Sequence, residues 1–170
     1  IKYFKSKYLF PYLNLDKENK FKVLIAPSWA TKFYTSPFFE NLLQSLNENN
    51  ITFKFRRHNM SIKNKELSQK IIDKYKIKFY EDKVVNYGEF EYLISDWSGI
   101  IMEYFIITKK KSFLINIEQK IRNDKYNLSK IIPTENLLRE KISHTYYEDK
   151  IHYLVKDILK NQNLQIENLF

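Results

Sequence analysis

The chain has 170 residues, no cysteine and a formal net charge of +9, and 44% of its residues are hydrophobic. This length fits one domain with a buried core, and the lack of cysteine excludes disulfides, thiolate catalysis and cysteine metal sites. The lack of cysteine is compatible with a cytoplasmic protein. No apolar run approaches the roughly 20 residues that span a bilayer. The charge favours anionic partners, although so many lysines are also typical of a solvated surface.

The first half of the chain alternates between strand and helix patterns. Residues 1–20 have no clean period, and we interpret them as a linker from a domain upstream. Residues 21–26 form an apolar, β-branched run that predicts a strand. Ser36 and Pro37 predict the start of a helix that reaches about Asn47. Polar and apolar residues alternate over 51–58, which predicts a second strand.

The second half continues this alternation. The remaining predicted elements are a helix over 61–75, a strand over 77–80, a brief strand at 84–85, strands over 92–96 and 112–117 on either side of a helix over 100–107, and helices over 133–143 and 147–161. Leu137 and Leu138 are predicted to face inward, and His144 and His152 to lie on helical segments. The pattern predicts an α/β fold over 21–161, a Rossmann-like parallel sheet with helices on both faces, followed by a tail over 162–170.

The central stretch, residues 91–116, reads as strand, tight turn, helix and strand. Ser98 and Gly99 lie where the helix begins, and a helix start presents unpaired N–H groups and a partial positive charge. The turn can therefore hold a phosphate, with glycine allowing close approach to the main chain. Ordinary helix capping by Ser98 explains the same residues.

Three loops are expected at the carboxyl edge of the sheet, where such folds bind ligands. Their candidate binding residues are Ser28, Trp29, Arg56, His58, Asp96, Ser98 and Gly99, and His58 is also the candidate catalytic residue. Asp96 would bind a ligand hydroxyl or fix the shape of its loop, or it would simply bond to nearby backbone. Trp29 and Trp97 would stack on a base, or pack between loop and core.

Several common sites are not predicted. No His, Asp and Glu residues have metal-ligand spacing, and the two glycines, Gly88 and Gly99, cannot form a glycine-rich nucleotide loop. No serine nucleophile elbow is visible. We therefore predict neither a metal nor a cofactor.

Four motifs in order resemble the carboxyl-terminal half of the CDP-glycerol glycerophosphotransferase family. Residues 26–29 (Ala-Pro-Ser-Trp) resemble the family's Ala-Pro-Thr-Trp, and residues 56–59 (Arg-Arg-His-Asn) resemble Arg-x-His-Pro. Residues 94–100 resemble Ile-Thr-Asp-Tyr-Ser-Ser-Ile, and residues 111–116 resemble Lys-Pro followed by an apolar strand. The sequence departs from the family pattern at Asn59, Gly99, Glu103 and Ser112.

The resemblance implies the donor-binding half of a GT-B-type transferase that makes teichoic-acid-like or other surface polymers. It implies a CDP-glycerol-like donor bound through its phosphates near His58, Ser98 and Gly99, with attack by an acceptor hydroxyl on the β-phosphate and release of CMP. It also implies a domain upstream for a polyanionic or lipid-linked acceptor, so that this part alone turns over poorly.

The sequence leaves the donor, the location and a second class of function open. The donor is CDP-glycerol or, alternatively, a UDP- or CMP-linked sugar. The lysines would hold the enzyme as a peripheral protein at the inner face of a bacterial membrane. A basic nucleic-acid-binding module is the remote alternative, disfavoured because the basic residues are not grouped around aromatic stacking positions.

Overall fold

A computed structural model describes residues 21–29, 32–118 and 134–160. Five strands form one parallel sheet in the order β2-β1-β3-β4-β5. The strands are β1 Phe21–Ile25, β2 Phe53–Phe55, β3 Phe90–Ser95, β4 Ser112–Ile115 and β5 Ser143–Tyr146. The helices are α1 Pro37–Glu48, α2 Asn59–Lys63, α3 Gln69–Tyr75, α4 Ile100–Thr108, α5 Thr134–Ile142 and α6 Ile151–Leu159. The predicted Rossmann-like α/β fold is confirmed, whereas the predicted linker 1–20 and tail 162–170 lie outside the described residues.

The order of the strands reverses between β1 and β3. From β1 the chain steps outward to β2, then returns past β1 to β3 and continues to β4 and β5. The connections that leave β1 and β3 therefore diverge from each other. A crevice between diverging connections, at the carboxyl ends of the strands, is where open α/β sheets bind ligands.

Both faces of the sheet are covered by helices. On one face α1, α3 and α6 pack on β1, β2 and β4, and Phe39, Leu43 and Leu154 are completely buried there. On the other face α4 packs on Leu24 and Leu93, with Ile142 of α5 beside it. Since β3 is covered on both faces, it is an almost continuous apolar run, as parallel interior strands usually are.

The predicted helix over 61–75 is wrong, because the chain forms two helices there. Lys65 adopts the left-handed conformation (φ 52°), which ends helical hydrogen bonding after α2. Ser68 then caps α3 by accepting a hydrogen bond from the Ile71 N–H at 3.4 Å. Ser61, the first residue of the predicted helix, is instead a buried residue within α2.

The strand predicted for β2 is too long, and two further strands predicted after it do not form as strands. The strand predicted over 51–58 is reduced to β2, and the strand predicted over 77–80 is reduced to one bridge between Phe79 and Phe55. The brief strand expected at 84–85 does not form. Val85 is buried by packing rather than by strand pairing, so apolar character alone was misleading here.

The carboxyl-terminal part contains a strand that was not predicted. His144 lies in β5 and not on a helix, because Ser143–Tyr146 pairs in parallel with β4. Leu137 is 58% exposed, so its predicted inward position is wrong, whereas Leu138 is partly buried. Arg139 and Ile142 face inward instead. Helical spacing predicts five inward positions in the last helix, and four of them, Ile151, Leu154, Val155 and Ile158, are buried. The fifth, Leu159, is 47% exposed, so that position is wrong. The helix α6 begins only after a short 3₁₀ turn, Glu148–Lys150.

Candidate functional site

A cleft of about 440 Å³ opens at the carboxyl edge of the sheet. It lies at the reversal of strand order and receives residues from the connections after β1, β2 and β3. Its lining residues are Ala26, Pro27, Arg56, Arg57, His58, Asn59, Ile62, Phe79, Tyr80, Glu81, Asp82, Lys83, Ser98, Gly99, Ile100 and Glu103. Of the seven predicted site residues, Arg56, His58, Ser98 and Gly99 line this cleft, whereas Ser28, Trp29 and Asp96 do not.

The two arginines after β2 are held by contacts to the following loop. Arg56 donates a hydrogen bond from Nη2 to the carbonyl oxygen of Lys83 at 3.3 Å. Arg57 places its guanidinium 3.8 Å from the centre of the Phe79 ring and 3.9 Å from a carboxylate oxygen of Glu81. Both side chains are partly buried. These contacts restrain both guanidinium groups at the cleft, which the carboxylates of Glu81 and Asp82 also line.

His58 has a structural task in addition to its place in the cleft. It is the N-cap of α2, and its Nδ1 atom accepts a hydrogen bond from the Met60 N–H at 3.1 Å. An accepting Nδ1 carries no proton, so the neutral ring keeps its proton on Nε2. The ring of Trp29 stacks on the imidazole, with centroids 6.0 Å apart and planes 21° apart. His58 is therefore oriented as a hydrogen-bond donor through Nε2.

The turn between β3 and α4 supplies main-chain N–H groups. Gly99 is the N-cap of α4, and the Ser98 hydroxyl accepts from the Ile100 N–H at 3.5 Å, the outer limit of a hydrogen bond. A Cβ added to Gly99 would meet nothing within 4 Å, so packing does not require glycine here. The open space in front of Gly99 belongs to the cleft.

Ser28 and Asp96 meet behind the cleft. The Asp96 carboxylate is completely buried and accepts from the Ser28 N–H at 2.7 Å and from its hydroxyl at 2.9 Å. The Ser95 hydroxyl also donates to the Ala26 carbonyl oxygen at 2.6 Å. These bonds tie the connections after β1 and β3 together, so the arrangement of Asp96 favours fixing the loop shape over binding a ligand hydroxyl.

Sequence reasoning assigned no role to Glu103, although it lines the cleft. It lies one helical turn after Gly99, so both residues share a face of α4. The Tyr87 hydroxyl donates to Glu103 Oε2 at 2.8 Å, and burial raises the pKa of Tyr87, as does the Glu103 charge. The spacing of four residues from Gly99 could have placed Glu103 on the same face of α4 as the site. Its contact with Tyr87 could not have been found this way, because Tyr87 lies 16 positions away in the chain.

Within the described ranges, no group of three or more His, Asp or Glu side chains is arranged to hold a metal ion. In the same part of the chain, no helix is both long and apolar enough to cross a membrane.

No model of a known protein family matches the chain, and a search of curated proteins finds no match. The geometry of the cleft and the motifs described above are therefore the basis for a functional assignment.

Proposed function

We propose that this chain is the donor-binding domain of a bacterial phospho-polyol transferase that uses a CDP-glycerol-like donor. The observation that carries the proposal is that two elements suited to bind phosphate line one cleft. Arg56 and His58 follow the carboxyl end of β2, and the start of α4 follows β3, on the other side of the reversal between β1 and β3. Both elements line a cleft of about 440 Å³, a volume within the range of small-molecule sites.

The diphosphate would bind between these elements. The Arg56 guanidinium and the Nε2–H of His58 supply hydrogen bonds to phosphate oxygens, and such charge-assisted bonds are stronger than neutral ones. Main-chain N–H groups at the start of α4 add further donors and the positive end of a helix dipole. Binding phosphate through Nε2–H does not require His58 to act as a base. This agrees with the geometry, because the Nδ1 atom of His58 already accepts the hydrogen bond that caps α2.

In the proposed reaction an acceptor hydroxyl oxygen attacks the β-phosphorus of the donor. A new P–O bond forms while the bond from the β-phosphorus to the bridging oxygen breaks, and CMP leaves with that electron pair. Arg56, His58 and the start of α4 stabilise the negative charge on the phosphates. The hydroxyl proton goes to a base that we place in an acceptor-binding domain upstream, so this chain alone binds the donor but turns over poorly.

Glu103 would recognise the hydroxyl groups of the donor. A carboxylate repels phosphates but accepts hydrogen bonds from hydroxyls, and Tyr87 holds one of its oxygens in place. The same contact suits the ribose of a UDP- or CMP-linked sugar, so a glycosyltransferase remains the second candidate.

The proposal extends to the location of the protein. We place the enzyme in the cytoplasm, as a peripheral protein at the inner face of the membrane that presents a lipid-linked acceptor. The net charge of +9 supports this, since acidic lipids attract basic proteins.

Calorimetry of the full chain with CDP, CMP, UDP and cytidine tests the assignment. We expect CDP to bind more tightly than CMP, and CMP more tightly than cytidine. Preference for UDP over CDP would favour the sugar-nucleotide alternative. No binding of any nucleotide by folded protein, together with salt-dependent binding of an oligonucleotide, would favour a nucleic-acid module instead.

Gly99→Ala tests the site without disturbing the fold. Because an added Cβ meets open space at φ −63°, the variant should fold normally but crowd a phosphate at the start of α4. We expect CDP affinity to fall several-fold and cytidine affinity to stay constant. Gly88→Ala, outside the cleft, is the matched control and should bind both like the wild type.

A further inference from the structure

Arg139 is a buried arginine that lies outside the cleft. It is only 6% exposed, on the inward face of α5, and it is not among the lining residues. A buried guanidinium is costly unless its contacts compensate, and an apolar residue of similar size often serves stability as well. The contacts of Arg139 therefore indicate what the charge is used for.

Two contacts of the Arg139 guanidinium reach the turn after β3. Arg139 Nη1 donates to the carbonyl oxygen of Asp96 at 2.8 Å, and the guanidinium lies 4.7 Å from the centre of the Trp97 ring. The indole Nε1–H of Trp97 donates to the carbonyl oxygen of Ile117 at 2.6 Å. Trp97 is thus held between α5 and the chain that follows β4.

The hydrogen bond to Asp96 controls main-chain direction. In a trans peptide the C=O and N–H groups point in opposite directions, so fixing the Asp96 carbonyl fixes the N–H of Trp97. The Asp96 side chain is already fixed by Ser28. With the carbonyl, the side chain and the next ring all anchored, the chain enters Ser98 and Gly99 in one orientation.

We infer that Arg139 is a positioning residue that sets the orientation of the turn at Ser98 and Gly99, and so of the phosphate-binding N–H groups. The effect on ligand binding rests on the proposed function, whereas the effect on the turn does not. Arg139 acts through Asp96 and Trp97 and touches no ligand. Its positive charge, in a poorly solvated position close to the turn, also favours an anion there.

Nuclear magnetic resonance of the full chain can read the turn directly, because the chain contains only two glycines and two tryptophans. Gly88→Ala and Trp29→Phe variants assign the Gly99 amide and Trp97 indole signals. In Arg139→Met we expect both signals to shift while Gly88 stays in place. An unchanged Gly99 signal would overturn the inference.

Binding supplies the second readout. In Arg139→Met we expect CDP affinity to fall about tenfold with cytidine affinity unchanged, and Arg139→Lys to recover part of the loss because it keeps the charge. Equal loss for CDP and cytidine, or no loss for CDP, would overturn the inference. If Arg139→Met does not fold, Arg139→Lys decides: it should shift the Trp97 indole and weaken CDP binding, and wild-type behaviour refutes the role. If the wild type binds no nucleotide, the proposed function fails while the glycine and indole signals still decide the positioning.

Discussion

Ser28 and Asp96, 68 positions apart in the chain, are joined by two hydrogen bonds at 2.7 and 2.9 Å. The Ser28 main chain and side chain each donate to a different oxygen of the buried Asp96 carboxylate. This pair links the connections after β1 and β3, which otherwise diverge at the strand reversal. It makes the back of the cleft a rigid part of the fold.

Removal of the Ser28 hydroxyl should destabilise the fold. In Ser28→Ala the Asp96 oxygen loses a hydrogen bond in a buried place, and we expect the free energy of unfolding in urea to fall by about 1–3 kcal/mol. Ser28→Thr keeps the hydroxyl and is the matched control, with a stability close to wild type. Equal stability of wild type and Ser28→Ala would show that the hydroxyl contributes nothing.

Two substitutions at His58 separate its capping role from its binding role. His58→Ala loses the cap of α2, and we expect about 1 kcal/mol lower stability. His58→Asn restores a capping oxygen but lacks a donor at the place of Nε2. Both variants should bind CDP about ten- to a hundredfold more weakly, since a hydrogen bond to a charged group is worth roughly 1.5–3 kcal/mol. Wild-type CDP affinity in His58→Asn, measured by calorimetry, would restrict His58 to capping.

Glu103 should control recognition of the nucleoside rather than of the phosphates. We expect Glu103→Gln to weaken cytidine and CDP by the same factor, because the lost contact is to hydroxyl groups common to both. Tyr87→Phe removes the hydroxyl that donates to Glu103. It should cause a smaller loss of affinity, equal for cytidine and CDP. A Glu103→Gln variant that loses CDP affinity but keeps cytidine affinity would contradict this assignment.

His144 should make stability depend on pH. Burial, followed by the charge of Lys111, lowers the pKa of His144 below 6.5, while Asp157 acts in the opposite direction. The folded protein therefore keeps the ring neutral where the unfolded chain already takes up a proton. This contribution is complete above about pH 6.5 and is lost as the pH falls towards the lower, folded pKa.

Urea unfolding between pH 7 and pH 5 checks the sign. His144→Gln should lose less stability on acidification than the wild type. His152→Gln, at an exposed position on α6, is the control and should follow the wild type. Identical slopes for His144→Gln and wild type would rule out this contribution.

The sequence by itself determined the α/β class, the interior strand before Asp96 and the convergence of three loops. Each of these depends on local periodicity or on residues that begin or end an element, such as Ser36 and Pro37. It did not predict β5, whose residues, Ser143–Tyr146, lack an apolar run and become a strand only by pairing with β4. Nor did it predict the break at Lys65, since a left-handed lysine carries no composition signal.

Only the tertiary structure decided which polar groups face each other. The partners of Ser28, Glu103 and Arg139 lie 68, 16 and 43 positions away in the chain. Such pairs depend on the order of the strands and on the rotation of each helix about its axis. Local periodicity reports neither quantity, because both are set by how whole elements pack together.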